Sequence, residues 1–234
     1  MQREKRPLGL RVVEVLAALS MAGALGMVLG YAPLERTMGI VQKVFYFHVA
    51  ANWLGMLSFI VAAVAAVGYL VTRDRRWDTL EVAAVEIGLA FALMGVVSGS
   101  IWARPIWNTW WTWDPRLTTV TIMLLVYVAY FMLRQGIDDP DRRARFGAVY
   151  ALVGMLSVPL TFFSVRLYRT IHPVVVGKNE PGAQGAFDMT VAMRNTLFVS
   201  LFAFTVLYVA LLWHRYRLGR TADQLEETRL RMME

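Results

Sequence analysis

Cysteine is absent from the 234-residue chain, and histidine occurs only three times. Without thiols the chain can form no disulfide, no thiolate metal site, no thiol-redox couple and no C-x-x-C-H attachment of a covalent cofactor. Charge is scarce as well: 18 % of residues are charged, against about a quarter in an ordinary soluble domain. No G-x-x-x-x-G-K-[ST] loop is present, so a phosphate-cradling site for ATP hydrolysis is not expected. Low-complexity tracts and clear internal repeats are missing too.

What fills the space is apolar. Hydrophobic residues make up 57 % of the chain and the mean hydropathy is +0.48. A helix needs roughly 20 predominantly apolar residues to cross the hydrocarbon core of a bilayer, and six segments meet that need: 12–31, 50–71, 80–103, 118–133, 146–165 and 195–213. The first follows a basic start (Arg3, Lys5, Arg6) as in a signal peptide, but its run is longer than an h-region of about 7–15 residues. It is expected to be a retained span. The predicted architecture is therefore an all-α integral membrane protein, a single polytopic membrane domain over 1–234.

The net charge of +7 has no basic stripe or reader motif behind it, so nucleic acid is not an expected partner. The basic residues fall between the spans, where they set orientation. One set of segments carries Arg3, Lys5, Arg6 and Arg11, then Arg73, Arg75 and Arg76, then Arg134, Arg142, Arg143 and Arg145, and last Arg215, Arg217, Arg220, Arg229 and Arg231. The other set has half as many: Arg36, Lys43, Arg104, Arg116, Arg166, Arg169, Lys178 and Arg194. The positive-inside rule puts both termini in the cytoplasm and leaves 32–49, 104–117 and 166–194 as outer segments. Residues 214–234 form a cytoplasmic tail, in which Leu218, Leu225 and Met232 recur too few times for a coiled coil and read as a solvated helix.

The first outer segment has an amphipathic pattern. Leu34, Met38, Val41, Phe45 and His48 share one helical face, and Glu35, Arg36, Gln42 and Lys43 lie opposite, as expected of a helix lying in the membrane interface. The last outer segment, with Gly177, Lys178, Asn179, Glu180, Pro181, Gly182 and Gly185, reads as a connection able to admit a partner or as ordinary slack. Within the spans, Pro159 should kink the fifth. Glu86, inside the third, is a functional candidate by default, although a polar contact to another helix is the preferred reading.

The densest feature is Trp107-Asn108-Thr109-Trp110-Trp111-Thr112-Trp113-Asp114-Pro115-Arg116-Leu117-Thr118, preceded by Trp102. An interfacial aromatic belt explains one or two tryptophans at the end of a span. Five, alternating with Thr, Asn and Asp, also offer wide π faces for a flat apolar ligand and indole N–H donors for its polar edge. Both readings stay open on composition alone.

His48 and His172 lie on the outer side, flanking this loop; His214 lies at the inner end of the last span and reads as interfacial. A lone histidine is most often structural. Two neutral imidazoles facing one another could instead ligate the iron of a porphyrin, one from each face. His172 precedes Pro173, which biases it away from a regular helix. The porphyrin's carboxylates would suit Arg104, Arg116, Arg166 or Arg169, but headgroup contact or pairing with Asp114 explains any single arginine more simply. Asp114 itself suits the start of a helix, where a carboxylate accepts backbone N–H groups.

The run from Trp107 to Thr118 resembles the signature of the WWD-domain haem-handling family, which includes CcmC, CcmF and CcsA. The length, the six spans, Gly99-Ser100-Ile101-Trp102 and the two flanking histidines make it most similar to the CcmC branch, over nearly the whole chain. That resemblance implies a non-catalytic, haem-binding subunit of cytochrome c maturation in a bacterial inner membrane. Non-covalent haem b would have His48 and His172 as axial iron ligands. Trp107, Trp110, Trp111 and Trp113, with Asp114, Arg116 and Arg104, would form the surface that presents it. The implied partners are CcmA- and CcmB-like ABC subunits, which would hydrolyse the ATP, a CcmD-like small membrane protein and a CcmE-like periplasmic haem chaperone. Asn108 departs from the signature, which usually has glycine there; asparagine tolerates the left-handed backbone better than most residues. The alternatives are a membrane permease, which should line the midplane with more polar groups than Glu86, and a cytochrome c haem synthase component, whose larger relatives carry further spans and an inner histidine pair.

Overall fold

The computed structural model describes residues 6–167, His172 and residues 189–233. The described residues are helical with short connections, and six helical stretches are long and apolar enough to cross a membrane. The chain is a multi-pass membrane protein. α1 (Leu8–Gly26) runs on through a π-turn at Met27–Tyr31. A 3₁₀ turn at Ile40–Lys43 leads directly into α2 (Val44–Thr72). α3 (Arg75–Trp107), α4 (Pro115–Gln135), the pair α5 (Pro140–Met155) and α6 (Ser157–Leu167), and α7 (Val191–Met233) complete the bundle.

Helix ends follow local chemistry. α3, α4 and α5 each start on an aspartate whose carboxylate accepts a backbone N–H of the first turn: Asp74 from Arg76, Asp114 from Leu117 and Asp139 from Arg142. These satisfy donors that have no partner within the helix. Pro115 and Pro140 follow two of the caps, where a missing N–H costs nothing. At the opposite ends, Arg73 and Asn108 adopt left-handed conformations, with φ of 60° and 53°. Asn108 thus occupies the backbone state that glycine would take, and fills it without glycine.

α2 and α3 form the central antiparallel pair, held close by small residues. A Cβ on Gly55 would meet the Ala92 backbone at 3.1 Å, and one on Gly88 would strike Phe59 at 2.8 Å. Ser58 Oγ donates to the Ala84 carbonyl at 2.8 Å. Such spacing lets backbones approach where lipid offers no hydrophobic drive for association. α5 and α7 pack on the other sides of α2, and α1 lies outermost, against α7. Its buried residues Leu10, Ala17 and Ala24 recur every seven positions, which keeps one narrow seam toward its neighbour. Pro159 acts as expected: the fifth span breaks between Met155 and Ser157, about one turn before the ring, because proline neither donates to nor clears the carbonyl four residues back.

Two expectations need correction. The segment 34–48 is not one amphipathic helix. Gly39, at φ 58° and ψ −137°, interrupts it, and Gln42, assigned to the polar face, is fully buried. The segment 104–117 is also not all loop, since Arg104–Trp107 close α3 and Pro115–Leu117 open α4. The aromatic loop proper is 108–114.

Glu86 makes the expected contact to another helix, accepting from Arg215 Nε of α7 at 2.7 Å. It has more polar company than expected. Arg134 donates to both oxygens of Asp78, at 2.6 and 3.0 Å, and Tyr130 donates to the fully buried Glu81 at 2.8 Å. These groups lie at the end of the bundle away from the aromatic loop. Between them and the loop, Phe59 stacks on Tyr127 with ring centres 3.7 Å apart, so the polar cluster is capped by packed core. The tail continues α7 as a single helix to Met233. His214 sits against Glu14 of α1, Nε2 to Oε1 2.6 Å, remote from the loop.

Candidate haem site beneath the tryptophan loop

His48 lies in the second turn of α2, facing α3. Its Nδ1 is 3.0 Å from Ser98 Oγ. The Ser98 hydroxyl donates to the Met94 carbonyl at 2.8 Å, so its oxygen accepts and the proton sits on His48 Nδ1. The lone pair is left on Nε2. Asn52 Nδ2 donates one hydrogen to the His48 carbonyl at 2.8 Å and lies 3.4 Å from each ring nitrogen. A Cβ on Gly99 would come within 2.9 Å of His48 Cε1, so the ring fits only because residue 99 is glycine.

His172 reaches the same place from the far side of the loop. Its Nδ1 is 2.9 Å from Asp114 Oδ2, while Asp114 Oδ1 accepts from Leu117 N at 2.9 Å and caps α4. An ionised carboxylate only accepts, so here too Nδ1 is the donor. Imidazoles that bind metals commonly have their second nitrogen oriented in this way.

Both imidazoles line one cavity with Trp107, Trp110, Trp111 and Arg116. The rings form a continuous row: His48 to Trp102 at 5.8 Å, Trp102 to Trp107 at 6.1 Å and Trp107 to His172 at 6.1 Å. Trp102, buried at the centre of this row, was not among the expected site residues. By sequence it is one of the five clustered tryptophans, with no place assigned to it in the site. Asn52, Ser98 and Gly99 were missed as well, because nothing in their spacing marks a helix face that supports an imidazole.

The remaining expected residues divide. Trp113 is 71 % exposed, outside the cavity, and stacks edge-on against Trp111 with ring centres 5.5 Å apart. Trp110 lines the cavity while 58 % exposed. Arg104 turns back to the loop, donating to the Asn108 carbonyl at 2.8 Å and to Asn108 Oδ1 at 2.6 Å. Arg116 lines the same cavity as the histidines and donates to the Thr161 carbonyl at 3.2 Å. Arg166 lines an adjoining cavity. Arg169, Pro173 and the segment holding Gly177, Lys178, Asn179, Glu180, Pro181, Gly182 and Gly185 lie outside the described residues.

One feature points to an absent polar ligand. Trp111 Nε1 and Thr112 Oγ1 are buried and have no hydrogen-bond partner among the described residues. Buried donors are rarely left so. Two imidazoles, aromatic walls and unsatisfied donors beside a guanidinium make a donor set suited to an iron porphyrin with carboxylate edges.

The model of the family described as CcmC, Heme exporter protein C, matches residues 6–231. The chain belongs to the CcmC family. Among curated relatives, the Heme exporter protein C of Bradyrhizobium diazoefficiens is 38 % identical over 181 residues, covering 77 % of this chain and 67 % of that protein. The protein of the same name in Escherichia coli K12 is 32 % identical over 188 residues, 80 % of this chain and 74 % of that one. That of Rhodobacter capsulatus is 30 % identical over 227 residues, 94 % and 88 %. The chain's Heme exporter protein C relatives support a haem-handling membrane component of cytochrome c maturation.

Proposed function

We propose that this chain is the haem-handling membrane subunit of a cytochrome c maturation system. Its cargo is haem b, held non-covalently between His48 and His172 at the outer face of a bacterial inner membrane. The observation that carries the reading is that two histidines far apart in sequence line one aromatic-walled cavity, each with Nδ1 held by a neighbouring side chain. Trp107 and Trp102 wall the site and exclude water. Trp111, Thr112 and Arg116 supply donors for the carboxylates, and Arg104 serves the loop's backbone instead. Both termini face the cytoplasm, and the whole chain acts as one membrane domain with segments 32–49, 104–117 and 166–194 outside.

The subunit holds and hands over; no bond of the cargo is made or broken by its residues. Exposed Trp110 and Trp113 at the outer rim form the surface from which a CcmE-like chaperone takes the haem. CcmA- and CcmB-like ABC subunits supply the energy of ATP, and a CcmD-like small protein completes the assembly. Packed core between the inner polar cluster and the site disfavours the permease alternative.

The test is to reconstitute the purified protein in lipid and titrate it with haem. One haem per chain with a low-spin, six-coordinate absorption spectrum is the expected result. Failure to bind haem, or binding without a change in coordination, overturns the reading.

A further inference from the structure

The histidine site borders a second cavity. A separate cavity of ≈ 180 Å³ shares His48, Asn52, Arg116 and His172 with the first, but extends along α2 past Trp53 to Met56 and along α6 past Val165 and Phe162. Met56 lies eight residues beyond His48, about 12 Å deeper along the helix at 1.5 Å per residue. The cavity therefore runs inward from the tryptophan loop, toward the hydrocarbon region. α6 packs on α4 and α5, and the cavity occupies the space between it and α2. Both edges face outward: Trp53 and Phe162 are exposed although they lie within membrane-spanning helices. Trp53 is held as a fixed edge, its Nε1 donating to Thr205 Oγ1 of α7 at 3.1 Å.

We propose that this cavity is a lateral window through which haem passes between the outer half of the bilayer and the histidine site. The inference rests on the haem-handling reading above. Haem is a flat, mostly apolar plate with two carboxylates on one edge, so in a bilayer its plate sits among acyl chains and its carboxylates at the headgroups. The window matches that arrangement. Its inner walls are apolar and aromatic, and Arg116 and Arg166 lie at its headgroup end, where a guanidinium can guide a carboxylate. An entrance through the loop would instead require the whole apolar face to cross water.

The test uses protein reconstituted in vesicles of phosphatidylcholine and phosphatidylglycerol with haem already dissolved in the bilayer, and follows the rise of the six-coordinate spectrum. Val165→Trp and Val49→Trp each fill the window, and Phe162→Ala widens it. Both tryptophan variants should reach the parent's final spectrum at least tenfold more slowly, and Phe162→Ala should be faster. Unchanged rates in the tryptophan variants overturn the window and leave the cavity to a lipid acyl chain. Loss of the final spectrum in both, with the parent unaffected, makes the cavity part of the resting site and equally overturns the route. A parent that takes up no haem by any delivery refutes the haem-handling reading itself.

Discussion

Asp114 holds His172 with one carboxylate oxygen and the first turn of α4 with the other, at 2.9 Å in each case. The position of the imidazole is thereby tied to the register of a membrane-spanning helix. Asp114→Asn keeps the shape and an oxygen that can cap, but places an amide NH2 donor where Nδ1–H needs an acceptor. Partners of this kind typically change metal affinity about 10–100-fold when removed. Haem affinity should fall by about that factor and the iron reduction potential should rise, because a less polarised imidazole donates less charge. A redox titration beside the binding curve checks both; unchanged values would make Asp114 only a cap.

Gly99 is the floor under His48. In Gly99→Ala the new methyl would stand 2.9 Å from His48 Cε1, and the ring must turn away from its position beside Ser98. Mixed five- and six-coordinate haem is the expected spectrum. Gly23→Ala in α1, where a Cβ meets nothing within 4 Å, should leave the spectrum unchanged and stabilise its helix by about 0.5–1 kcal/mol.

The tryptophans should separate by role. Trp107 lies 6.1 Å from both Trp102 and His172, so Trp107→Ala should weaken haem retention, seen as faster loss to an excess of apomyoglobin. Trp113 lies outside the cavity, so Trp113→Ala should retain haem as the parent does and slow only its transfer to the chaperone. Equal loss of retention in both variants would contradict the division.

Arg134 and Asp78 pair with side chains only 11 % and 8 % exposed. Breaking a buried pair by removing one partner costs about 3–5 kcal/mol. Arg134→Ala should therefore lower thermal stability markedly while the folded fraction keeps the parent haem spectrum. An altered spectrum at full folding would connect this cluster to the site.

Much of the architecture could be read directly from the chain, because span length and apolar runs are set by the bilayer and need no tertiary information. Helix boundaries were less accessible. Arg104–Trp107 and Pro115–Leu117 look like loop by polarity and aromatic content, yet the Asn108 left-handed cap and the Asp114–Pro115 start enclose them in helices. Among the site residues, the tryptophan run and the rare histidines stood out by composition. Ser98, Gly99 and Asn52 did not, since their role depends on how closely α2 and α3 approach. Arg104 carried the right charge for a carboxylate, but its reach to Asn108 is set by a turn that only the fold defines. Asp78 escaped notice because the third span was taken to begin at residue 80, whereas α3 starts at Arg75.

The central claim is that His48 and His172 ligate one iron from opposite faces. The most direct measurement is the visible and low-temperature electron paramagnetic resonance spectrum of haem-loaded protein beside His48→Ala and His172→Ala. Low-spin ferric haem in the parent, converted to a high-spin or exogenously ligated form in each variant and restored by added imidazole, is the predicted result. A parent spectrum that survives either substitution unchanged would contradict it.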